Sequence, residues 1–331
     1  MKVTLKDIAD DTGYSISTVS RVLNGFDTNP DTKKTILKSA RKLNYPIQNF
    51  DKGVSSEELL NILLIAGIEI GEFYASFFDG LNKAASRQNV RLSFSSLEDH
   101  IPKIADIADK IEEEHFDGLI INVPRFSTEQ YQDLKEALPD DFPVVSNEIL
   151  DNPIFETVGF DNYGGGQLVG RHFKERGYSS VGIIYGPSDK NVSRQRAHGF
   201  IDFVTYEEEM ELSWEFEGDF SFESGIEAFD DFNETDPLPR AVFAGNDNMC
   251  QGFMQQAMVE QLSFPDDIAI VGFDDLPICS RHRPKISSVH THYEHLGTVS
   301  IQKMKTLLGN DNHPGRMLNL VPTTLKVRES S

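Results

Sequence analysis

The stretch VTLKDIADDTGYSISTVSRVLNG, Val3–Gly25, decides how the beginning of this 331-residue chain folds. Thr4 is followed three residues later by Asp7, a spacing typical of the capping box that begins a helix. Gly13 is placed to end this helix, and Ser15 is a suitable cap for a second one. The stretch therefore predicts two short helices joined by a tight turn.

A third helix is predicted after the turn NGFDTNP. Asn29 is its expected cap, Pro30 stands at the first helical position, and Asp31 lies in the first turn, where a negative charge stabilises a helix. The apolar positions of the second and third helices repeat at helical spacing. They predict a common core of Val19, Val22, Leu23, Ile36, Leu37, Ala40 and Leu43.

Burial of that core leaves a mostly polar face on the second helix. In a helix-turn-helix the second helix enters the major groove, where short side chains let the backbone approach and an arginine reaches a base edge or a phosphate. We therefore predict that residues 1–46 bind double-stranded DNA; a three-helix bundle with a merely solvated face is the alternative. The predicted DNA contacts are Thr4, Ser15, Ile16, Ser17, Thr18, Ser20, Arg21 and Asn24.

The distribution of charge favours the DNA-binding interpretation. The net charge of −22 argues against a nucleic-acid partner for the chain as a whole, because phosphate contacts need Lys and Arg. Residues 1–49, however, carry eight Lys/Arg against five Asp, hence a charge of +3, which leaves −25 for the remainder. A basic module joined to an acidic body is expected to hold DNA at that module alone.

No membrane or export segment is predicted. The longest apolar run, ILLIAGI at Ile62–Ile68, is far shorter than the roughly 20 residues that span a bilayer. Lys2, Lys6, Asp7 and Asp10 interrupt the beginning of the chain, where a signal peptide would need an apolar segment. We expect a cytoplasmic protein without a membrane partner.

The search for catalytic and metal-binding motifs predicts neither an enzyme nor a cofactor. Cys250 and Cys279 form no disulfide framework and no zinc spacing. Four histidines crowd one segment: His282, His290, His292 and His295. Since further metal ligands are not evident, we predict no metal site. Nucleophile elbow, His-Glu-x-x-His and P-loop patterns are absent, and the acidic stretch EEEMELSWEFEGD, 207–219, is interpreted as a solvated face.

Composition shifts to polar residues between Asn44 and Asn61, which predicts a linker, and buried strands then alternate with amphipathic helices. Repeated β-α units of this length predict doubly wound parallel sheets, and the number of strands indicates two of them. The predicted strands are Leu60–Ala66, Arg91–Ser95, Gly118–Val123, Val144–Asn147, Thr157–Phe160, Ser180–Tyr185, Ala241–Gly245, Ile268–Phe273 and Ser287–Thr291. The predicted helices include Phe73–Gln88, Ile104–Glu114, Gly166–Arg176, Asn248–Glu260 and Tyr293–Leu308.

A DNA-reading head, a short linker and two α/β lobes together resemble the lactose-repressor/galactose-repressor (LacI/GalR) family of bacterial transcription regulators. The opening stretch is similar to that family's head almost residue for residue. Further matches, in the family's order and spacing, are SRQRAHGF (Ser193–Phe200), AVFAGNDNMCQGFMQ (Ala241–Gln255), FPDDIAIVGFDDLP (Phe264–Pro277) and PTTLKVRES near the end of the chain.

The resemblance implies an all-α helix-turn-helix head over residues 1–46, a linker or hinge over 47–59, and an effector-binding and dimerisation core over 60–331. The core would be a two-lobe α/β structure like that of type I periplasmic binding proteins. Lobe 1 is expected at about 60–159 and 291–321, and lobe 2 at about 160–290 and 322–331.

The family binds its effector in the cleft between the lobes, at the carboxyl ends of the strands. Arg196 matches its sugar-contacting arginine, since a planar guanidinium suits two adjacent hydroxyls; neighbouring Arg194 is the alternative. Asn246 and Asp274 each follow an apolar strand at the ligand-facing end, although both could instead be helix caps.

Aromatic residues are expected to face the C–H surface of a sugar ring. Phe73, Phe220 and Tyr293 resemble the family's aromatic cleft positions, with plain core aromatics as the alternative, and Asp161 matches a position near the crossover between lobes. Gly164–Gly166 lack the rest of a phosphate-binding pattern, so we interpret them as a tight strand-to-helix connection.

The linker departs from the family pattern. Family members form a short hinge helix with a leucine that wedges into the minor groove. In this chain the best candidate for that wedging residue is Val54, or alternatively Phe50. Gly53 weakens a helix by about 1 kcal/mol relative to alanine, and Asp51 opposes phosphate.

These observations predict a homodimeric repressor that binds a pseudo-palindromic operator and responds to a sugar. We expect a neutral sugar in preference to a phosphorylated one. The first alternative is a sugar-binding sensor module without specific operator binding. The second is a sugar-acting enzyme, which would need turnover without any cofactor motif.

Overall fold

A computed structural model of the chain describes residues 3–23, 29–43, 45, 59–67, 71–96, 103–309 and 316–331. It divides the chain into two compact units, Met1–Glu58 and Leu59–Ser331. Asn24, Val54 and the predicted linker as far as residue 58 lie outside the described residues. The predicted hinge contacts therefore stay predictions.

The first unit contains the three predicted helices, which are α1 (Leu5–Thr12), α2 (Ile16–Leu23) and α3 (Pro30–Lys42). The Asp7 carboxylate accepts hydrogen bonds from the backbone N–H and the hydroxyl of Thr4, both at 2.7 Å. Gly13 ends α1 with a φ of 73°, a left-handed conformation that favours glycine. Ser15 caps α2, since its Oγ accepts the N–H of Thr18 at 3.2 Å. The helices enclose one small core of Ile8, Ala9, Val19, Val22, Ile36 and Ala40.

The second unit alternates strands with helices. Its strands are β1 (Leu60–Ala66), β2 (Val90–Ser96), β3 (Gly118–Asn122), β4 (Val144–Ser146), β5 (Glu156–Phe160), β6 (Ser180–Tyr185), β7 (Glu211–Glu217), β8 (Ala241–Ala244), β9 (Ala269–Asp274), β10 (Ser287–His290), β11 (Leu318–Val321) and β12 (Thr324–Lys326). Its helices are α4 (Glu72–Arg87), α5 (Ile104–Glu114), α6 (Thr128–Ala137), α7 (Asn162–Glu175), α8 (Asn191–Tyr206), α9 (Phe222–Phe232), α10 (Asp247–Val259), α11 (Pro277–Arg281) and α12 (Tyr293–Gly309).

Within the described residues the strands form two six-stranded sheets. The first has the order β11-β5-β4-β3-β1-β2 and the second the order β12-β10-β9-β8-β6-β7. Neighbouring strands are parallel, except that β10 and β12 are antiparallel. The chain crosses from the first sheet to the second after β5 and returns for β11 before β12. The fold class is confirmed; the exact lobe boundaries stay predictions. We call the first sheet with its helices lobe 1 and the second lobe 2.

Each sheet is sandwiched between two apolar layers. In lobe 1, one face packs under α4 and α12 around Leu64 and Ile120, and the other packs under α5 and α6 around Ile65 and Ile121. Alternate residues of one strand thus face opposite cores. Because both faces of the strand are buried, apolar residues occupy consecutive positions along it, and its sequence contains a continuous apolar run.

The interpretation of Gly164–Gly166 as a strand-to-helix connection is wrong, because all three lie within the first turns of α7. Their small size serves close packing instead. A Cβ on Gly166 would lie 2.2 Å from the Arg196 carbonyl oxygen, and one on Gly165 would lie 2.6 Å from the Phe273 ring.

The acidic stretch 207–219 is only partly a solvated face, since most of it forms β7 at the edge of the second sheet. Glu211 and Glu215 are exposed, whereas Trp214 is buried against the core of lobe 2. An edge strand can have one face exposed to solvent, so exposed glutamates can alternate with buried residues along β7.

Among the described residues, no helix has the length and apolar character needed to cross a membrane.

Candidate functional site

A cavity of about 380 Å³ lies between lobe 1 and lobe 2. Its walls include Asn122 at the end of β3, Asn246 two residues after β8 and Asp274 at the end of β9. These are carboxyl ends of parallel strands, the edge at which open α/β sheets bind ligands. The volume is in the range of small-molecule sites.

Five of the seven residues predicted to bind the effector line this cavity. They are Phe73, Arg196, Phe220, Asn246 and Asp274. Their role as ligand contacts stays a prediction, but the structure brings side chains from both lobes around one space.

Arg196 is held rigidly on the lobe 2 wall. Its Nε donates to Asn162 Oδ1 at 3.0 Å, and its two terminal nitrogens donate to the Gly245 carbonyl at 2.7 Å and to Asp274 Oδ1 at 2.9 Å. The guanidinium carbon lies 3.9 Å from the centre of the Phe273 ring. A guanidinium has five N–H donors, so this arrangement leaves two for a ligand.

Asp274 lies in a strained loop that a buried network holds in place. Its φ is 106° and that of Asp275 is 52°, values that L residues rarely adopt. The N–H of Asp275 donates to Ser288 Oγ at 3.0 Å, and that hydroxyl donates to the Asp247 carboxylate at 2.6 Å. The same carboxylate accepts the N–H of Leu276 at 2.7 Å. Asp247, which sequence reasoning missed, therefore fixes the loop that presents Asp274 to the cavity.

Burial raises the pKa of three fully buried acidic groups at or beside the cavity. It raises the pKa of Asp247 to about 8, and the charge of Asp274 acts in the same direction. It also raises the pKa of Asp274, against the opposing effect of Arg196. Glu148, buried in the lobe 1 wall, has its pKa raised to about 7 by burial, while Lys190 lowers it.

Asn246 and Phe220 support each other at the cavity wall. Asn246 is both a helix cap and a lining residue, because its Oδ1 accepts the N–H of Met249 at 2.9 Å at the start of α10. Its Nδ2 donates to the Phe220 carbonyl at 2.8 Å. Phe220 itself has a φ of 71°, which turns its ring towards Gly186, where a Cβ would lie 2.1 Å from that ring.

Tyr293 and Asp161 have supporting roles outside the described cavity wall. The Tyr293 ring packs edge-on against Phe73 at 5.9 Å and against Phe160 at 5.5 Å, and so supports two lining aromatics. Asp161 caps α7, since its Oδ1 accepts the N–H of Gly164 at 2.8 Å. Neither residue is part of the described cavity wall.

Lobe 1 offers hydrogen-bond acceptors that sequence reasoning missed. Asn147 Nδ2 donates to the Val158 carbonyl and to Ser300 Oγ, both at 2.9 Å, which fixes the orientation of the amide. Among the described residues, Asn147 Oδ1 and Asn122 Oδ1 are buried without a hydrogen-bond partner. Both residues line the cavity at the carboxyl end of a buried strand, as does Glu148, so the rule that selected Asn246 and Asp274 could have found them.

Ion pairs join the lobes at both edges of the cleft. At one edge, lobe 1 Asp151 accepts hydrogen bonds from Asn191 Nδ2 at 2.7 Å and from Arg194 at 2.8 Å. Arg194, the alternative to Arg196, is therefore a rim residue. At the other edge, lobe 1 Glu72 accepts the N–H of Ile278 at 2.8 Å and pairs with Arg281.

The second helix of the first unit presents the predicted DNA-reading face. Ser15, Ile16, Ser17 and Arg21 are exposed, and Thr18 and Ser20 are half-buried. Their contacts with DNA stay predictions, as does that of exposed Thr4.

The histidine segment forms a polar cluster. His290 Nδ1 lies 2.9 Å from Asp275 Oδ2, and the His290 and His292 rings are 4.3 Å apart. Arg328 pairs with the other oxygen of Asp275 at 2.6 Å. In the part of the chain that the structure describes, no three or more His, Cys, Asp or Glu side chains are arranged so that they could hold a metal ion.

Two family models match the chain. The model of bacterial regulatory proteins of the lacI family matches residues 4–47, and that of the periplasmic binding protein-like domain matches residues 171–331.

Curated relatives match over nearly the full length. HTH-type transcriptional repressor PurR of Photobacterium profundum is 25% identical over 335 residues, which cover 99% of this chain and 98% of that protein. Catabolite control protein A of Priestia megaterium is 25% identical over 343 residues, which cover 100% of both.

Solved structures share the fold. A complex of the transcriptional regulator CelR with cellobiose is 24% identical with a TM-score of 0.72, covering 99% of this chain and 100% of that chain. The lac repressor dimer bound to operator and the anti-inducer ONPF is 22% identical with a TM-score of 0.73, covering 100% of this chain and 99% of that chain.

Proposed function

The chain belongs to the LacI family of bacterial regulatory proteins and is a DNA-binding transcriptional repressor with a ligand-binding core; we propose that it represses a carbohydrate-utilisation operon under the control of a sugar. The sugar would bind in the cavity between the lobes. The head would bind a pseudo-palindromic operator as part of a cytoplasmic homodimer, in which the two heads occupy successive major grooves.

The observation that carries the sugar proposal is the complementary polarity of the two cavity walls. Lobe 1 presents the free acceptor oxygens of Asn122 and Asn147, and lobe 2 presents the remaining N–H donors of Arg196 beside the Asp274 carboxylate. A hydroxyl both donates and accepts, so a polyhydroxylated ring can satisfy both walls at once. Phe73 and Phe220 provide apolar surfaces for its C–H groups.

The same walls disfavour a phosphorylated ligand. A phosphate has acceptor oxygens and negative charge, which would face the acceptor amides on lobe 1 and the Asp274 carboxyl on lobe 2. Arg196 is already paired with Asp274, so its charge is largely compensated. A neutral sugar is therefore the better fit.

Among the similar structures, one binds cellobiose and one is a repressor dimer on its operator. The first is consistent with the sugar ligand proposed for this chain, and the second with the proposed dimeric, operator-bound state. The curated relatives are transcriptional regulators, and the proposal includes no catalytic step.

A thermal-shift panel of neutral sugars and their phosphates on the full chain tests the proposal. A ligand at about 100 times its dissociation constant adds about 2.7 kcal/mol to stability, so a true effector raises the unfolding midpoint clearly. Arg196→Lys keeps the charge but loses the planar fork, and we expect it to abolish the shift. Arg171→Lys, at an exposed position of α7 outside the cavity wall, is the matched control and should keep it.

If only phosphorylated sugars shift the midpoint, the polarity argument is wrong. If no sugar shifts the wild-type protein, the carbohydrate proposal fails, although the repressor assignment stands.

A further inference from the structure

Two consecutive carboxylates at the end of β9 face different spaces. Asp274 lines the cavity between the lobes, whereas Asp275 lines a second groove, formed by α4, α11 and the start of α12. Both residues have a positive φ, of 106° and 52°, and such backbone persists only where its surroundings hold it. Contacts that hold Asp275 in the groove therefore also hold Asp274 in the cavity wall.

Two basic side chains hold Asp275. Arg328 lies 2.6 Å from its Oδ1, and His290 Nδ1 lies 2.9 Å from its Oδ2. His290 Nδ1 and Asp275 Oδ1 are buried, and neither makes a hydrogen bond of regular geometry to any described residue, so the two contacts depend mainly on charge. Arginine keeps its charge in proteins, whereas an imidazole ordinarily loses its charge between about pH 5 and 8. A proton can therefore switch the contact with His290 but not the contact with Arg328.

His290 is also tied to Asp274 through the sheet. It ends β10, where it lies opposite Asp274 of the parallel strand β9. The next residue, Thr291, donates its hydroxyl to the Asp274 carbonyl at 2.9 Å. A change in the contact between His290 and Asp275 thus acts one residue away from the carboxylate that lines the cavity.

The charges around His290 leave Asp275 as its anionic partner in the groove. On the neighbouring helices, Asp79 pairs with Lys83, and Glu294 pairs with Arg87. The titratable and charged groups on the elements packed around His290 are Asp79 and Lys83 of α4, Asp274 and Asp275 at the end of β9, His292, Glu294 and His295 at or just before the start of α12, Lys326 of β12 and Arg328 after it.

His292 does not compete with His290 for a proton. The two rings are 4.3 Å apart. Burial lowers the pKa of His292, and the charges of His290, His295 and Lys326 lower it further. A proton that enters this pair of rings is therefore expected on His290, beside the Asp275 carboxylate.

We propose that His290 is a positioning residue whose protonated ring holds Asp275 and steadies the loop that presents Asp274, so that the cavity binds its sugar more tightly in mildly acidic than in neutral solution. The part of this inference that concerns affinity rests on the sugar ligand proposed above. The repressor would then sense sugar and proton concentration together.

The first measurement needs no sugar. Hydrogen exchange of the peptide that contains Asp275 and Leu276 is followed by mass spectrometry on the full-length protein at about pH 5.5 and 7.5, with rates corrected for chemical exchange. The N–H groups of both residues are bonded within the buried network, so loosening of the loop exposes them. His290 and Asp275 are only 29% and 9% exposed. We therefore expect exchange to be about fivefold slower at the lower pH, the upper end for an ion pair at a protein surface.

Two variants isolate the charge of His290. His290→Gln is neutral at both pH values and should exchange fast at both, whereas His290→Lys is positive at both and should exchange slowly at both. His295→Gln is the matched control, because His295 is an exposed neighbour outside the contact, and it should keep the wild-type dependence on pH. A slope shared by all four proteins belongs to other groups, such as Asp247.

Calorimetric titration then tests the consequence for binding, with the neutral sugar that gives the largest shift in the thermal-shift panel. Apart from any change common to all four proteins, affinity should be about fivefold higher at about pH 5.5 than at about pH 7.5 in the wild type and in His295→Gln. It should be independent of pH in both His290 variants.

The inference is overturned if His290→Gln keeps the wild-type dependence on pH, in exchange or in affinity. If no sugar of the panel binds at either pH, the carbohydrate proposal fails, whereas the exchange rates still decide whether His290 holds the loop.

Discussion

Asp247 organises the cavity wall without lining it. Its two carboxylate oxygens bind the N–H of Leu276 and the hydroxyl of Ser288, and these bonds hold the loop in which Asp274 adopts a positive φ. Strained backbone of this kind persists only where the surroundings determine it. The position of the Asp274 carboxylate thus depends on a buried residue that does not line the cavity.

We expect Asp247 to make stability depend on pH. Its pKa is about 8 in the folded state against an ordinary value of 3.8. Between these values the folded chain binds a proton that the unfolded chain does not, so this group lowers the free energy of unfolding as pH rises from about 4 to 8. Asp247→Asn removes the titration and should flatten that slope, measured by urea unfolding across this range.

At pH 5 the folded wild type carries a protonated Asp247 carboxyl, which an amide resembles in shape and in having one donor side, so Asp247→Asn should lie within about 1 kcal/mol of the wild type there. Asp140→Asn, at an exposed turn, is the control and should leave the slope unchanged. An unchanged slope in the Asp247 variant would contradict the prediction.

At the scale of elements, α7 and α8 pack so closely that only glycine fits between them. A Cβ on Gly166 would lie 2.2 Å from the Arg196 carbonyl oxygen and 2.7 Å from the Phe200 nitrogen, both backbone atoms of α8. Gly166→Ala must therefore push the helices apart and displace the backbone that carries Arg196. We expect it to lower the free energy of unfolding by about 1–3 kcal/mol, measured by urea titration.

Gly309→Ala, at the end of α12, is the matched control, because an added Cβ there meets none of the described atoms within 4 Å. It should be close to neutral or slightly stabilising. Equal losses in the two variants would refute the packing argument.

Most elements could be predicted from the sequence because their signals are local. Two elements have the predicted bounds, β6 (Ser180–Tyr185) and α5 (Ile104–Glu114). The apolar run of β6 and the amphipathic repeat of α5 each end abruptly at these bounds. β7 was missed because exposed glutamates alternate with its buried positions, and β11 and β12 because they are short and largely exposed. Only tertiary pairing at the sheet edges makes these segments strands.

The cavity was predicted less completely than the fold. Asn246 and Asp274 could be predicted as lining residues because they lie at the carboxyl ends of apolar strands. The same criterion also selects Asn122 and Asn147 in lobe 1. Sequence alone cannot tell that Phe73 lines the cavity whereas Tyr293 packs behind it, because the two aromatic rings are in contact and differ only in which of them reaches the cavity surface.

At the scale of the whole molecule, the ion pairs Asp151–Arg194 and Glu72–Arg281 join the two lobes across the cleft. The opening of the cleft should therefore be sensitive to single charges. Asp151 and Arg194 are 68% and 31% exposed, so their pair contributes about 0.2–1 kcal/mol. Asp151→Asn should therefore weaken sugar binding by up to about fivefold, because it favours the open cleft. Calorimetric titration with the sugar identified in the thermal-shift panel measures this change.

The control is Asp79→Asn, because Asp79 pairs with Lys83 on the same helix and does not join the lobes. Sugar affinity should be unchanged in that variant. Equal affinities for the wild type and Asp151→Asn would show that the edge pair does not hold the cleft.

The charge asymmetry predicts that salt weakens the binding of operator but hardly changes the binding of sugar. Binding of operator by the basic first unit releases counterions, so affinity should fall on the order of a hundredfold between 50 and 200 mM salt. A neutral sugar in the acidic core releases none, and its affinity should change by less than about twofold. Fluorescence anisotropy and calorimetry measure the two dependences, and a salt-insensitive operator complex would contradict the assignment of charge.

The most direct test of a sugar-controlled repressor is a reciprocal binding measurement on the full-length protein. Operator affinity is determined with and without saturating sugar, and sugar affinity with and without saturating operator. Because the two equilibria are linked, we predict that both affinities change by the same factor, within about 5- to 150-fold. A sugar that binds the core but leaves operator affinity unchanged would contradict the account.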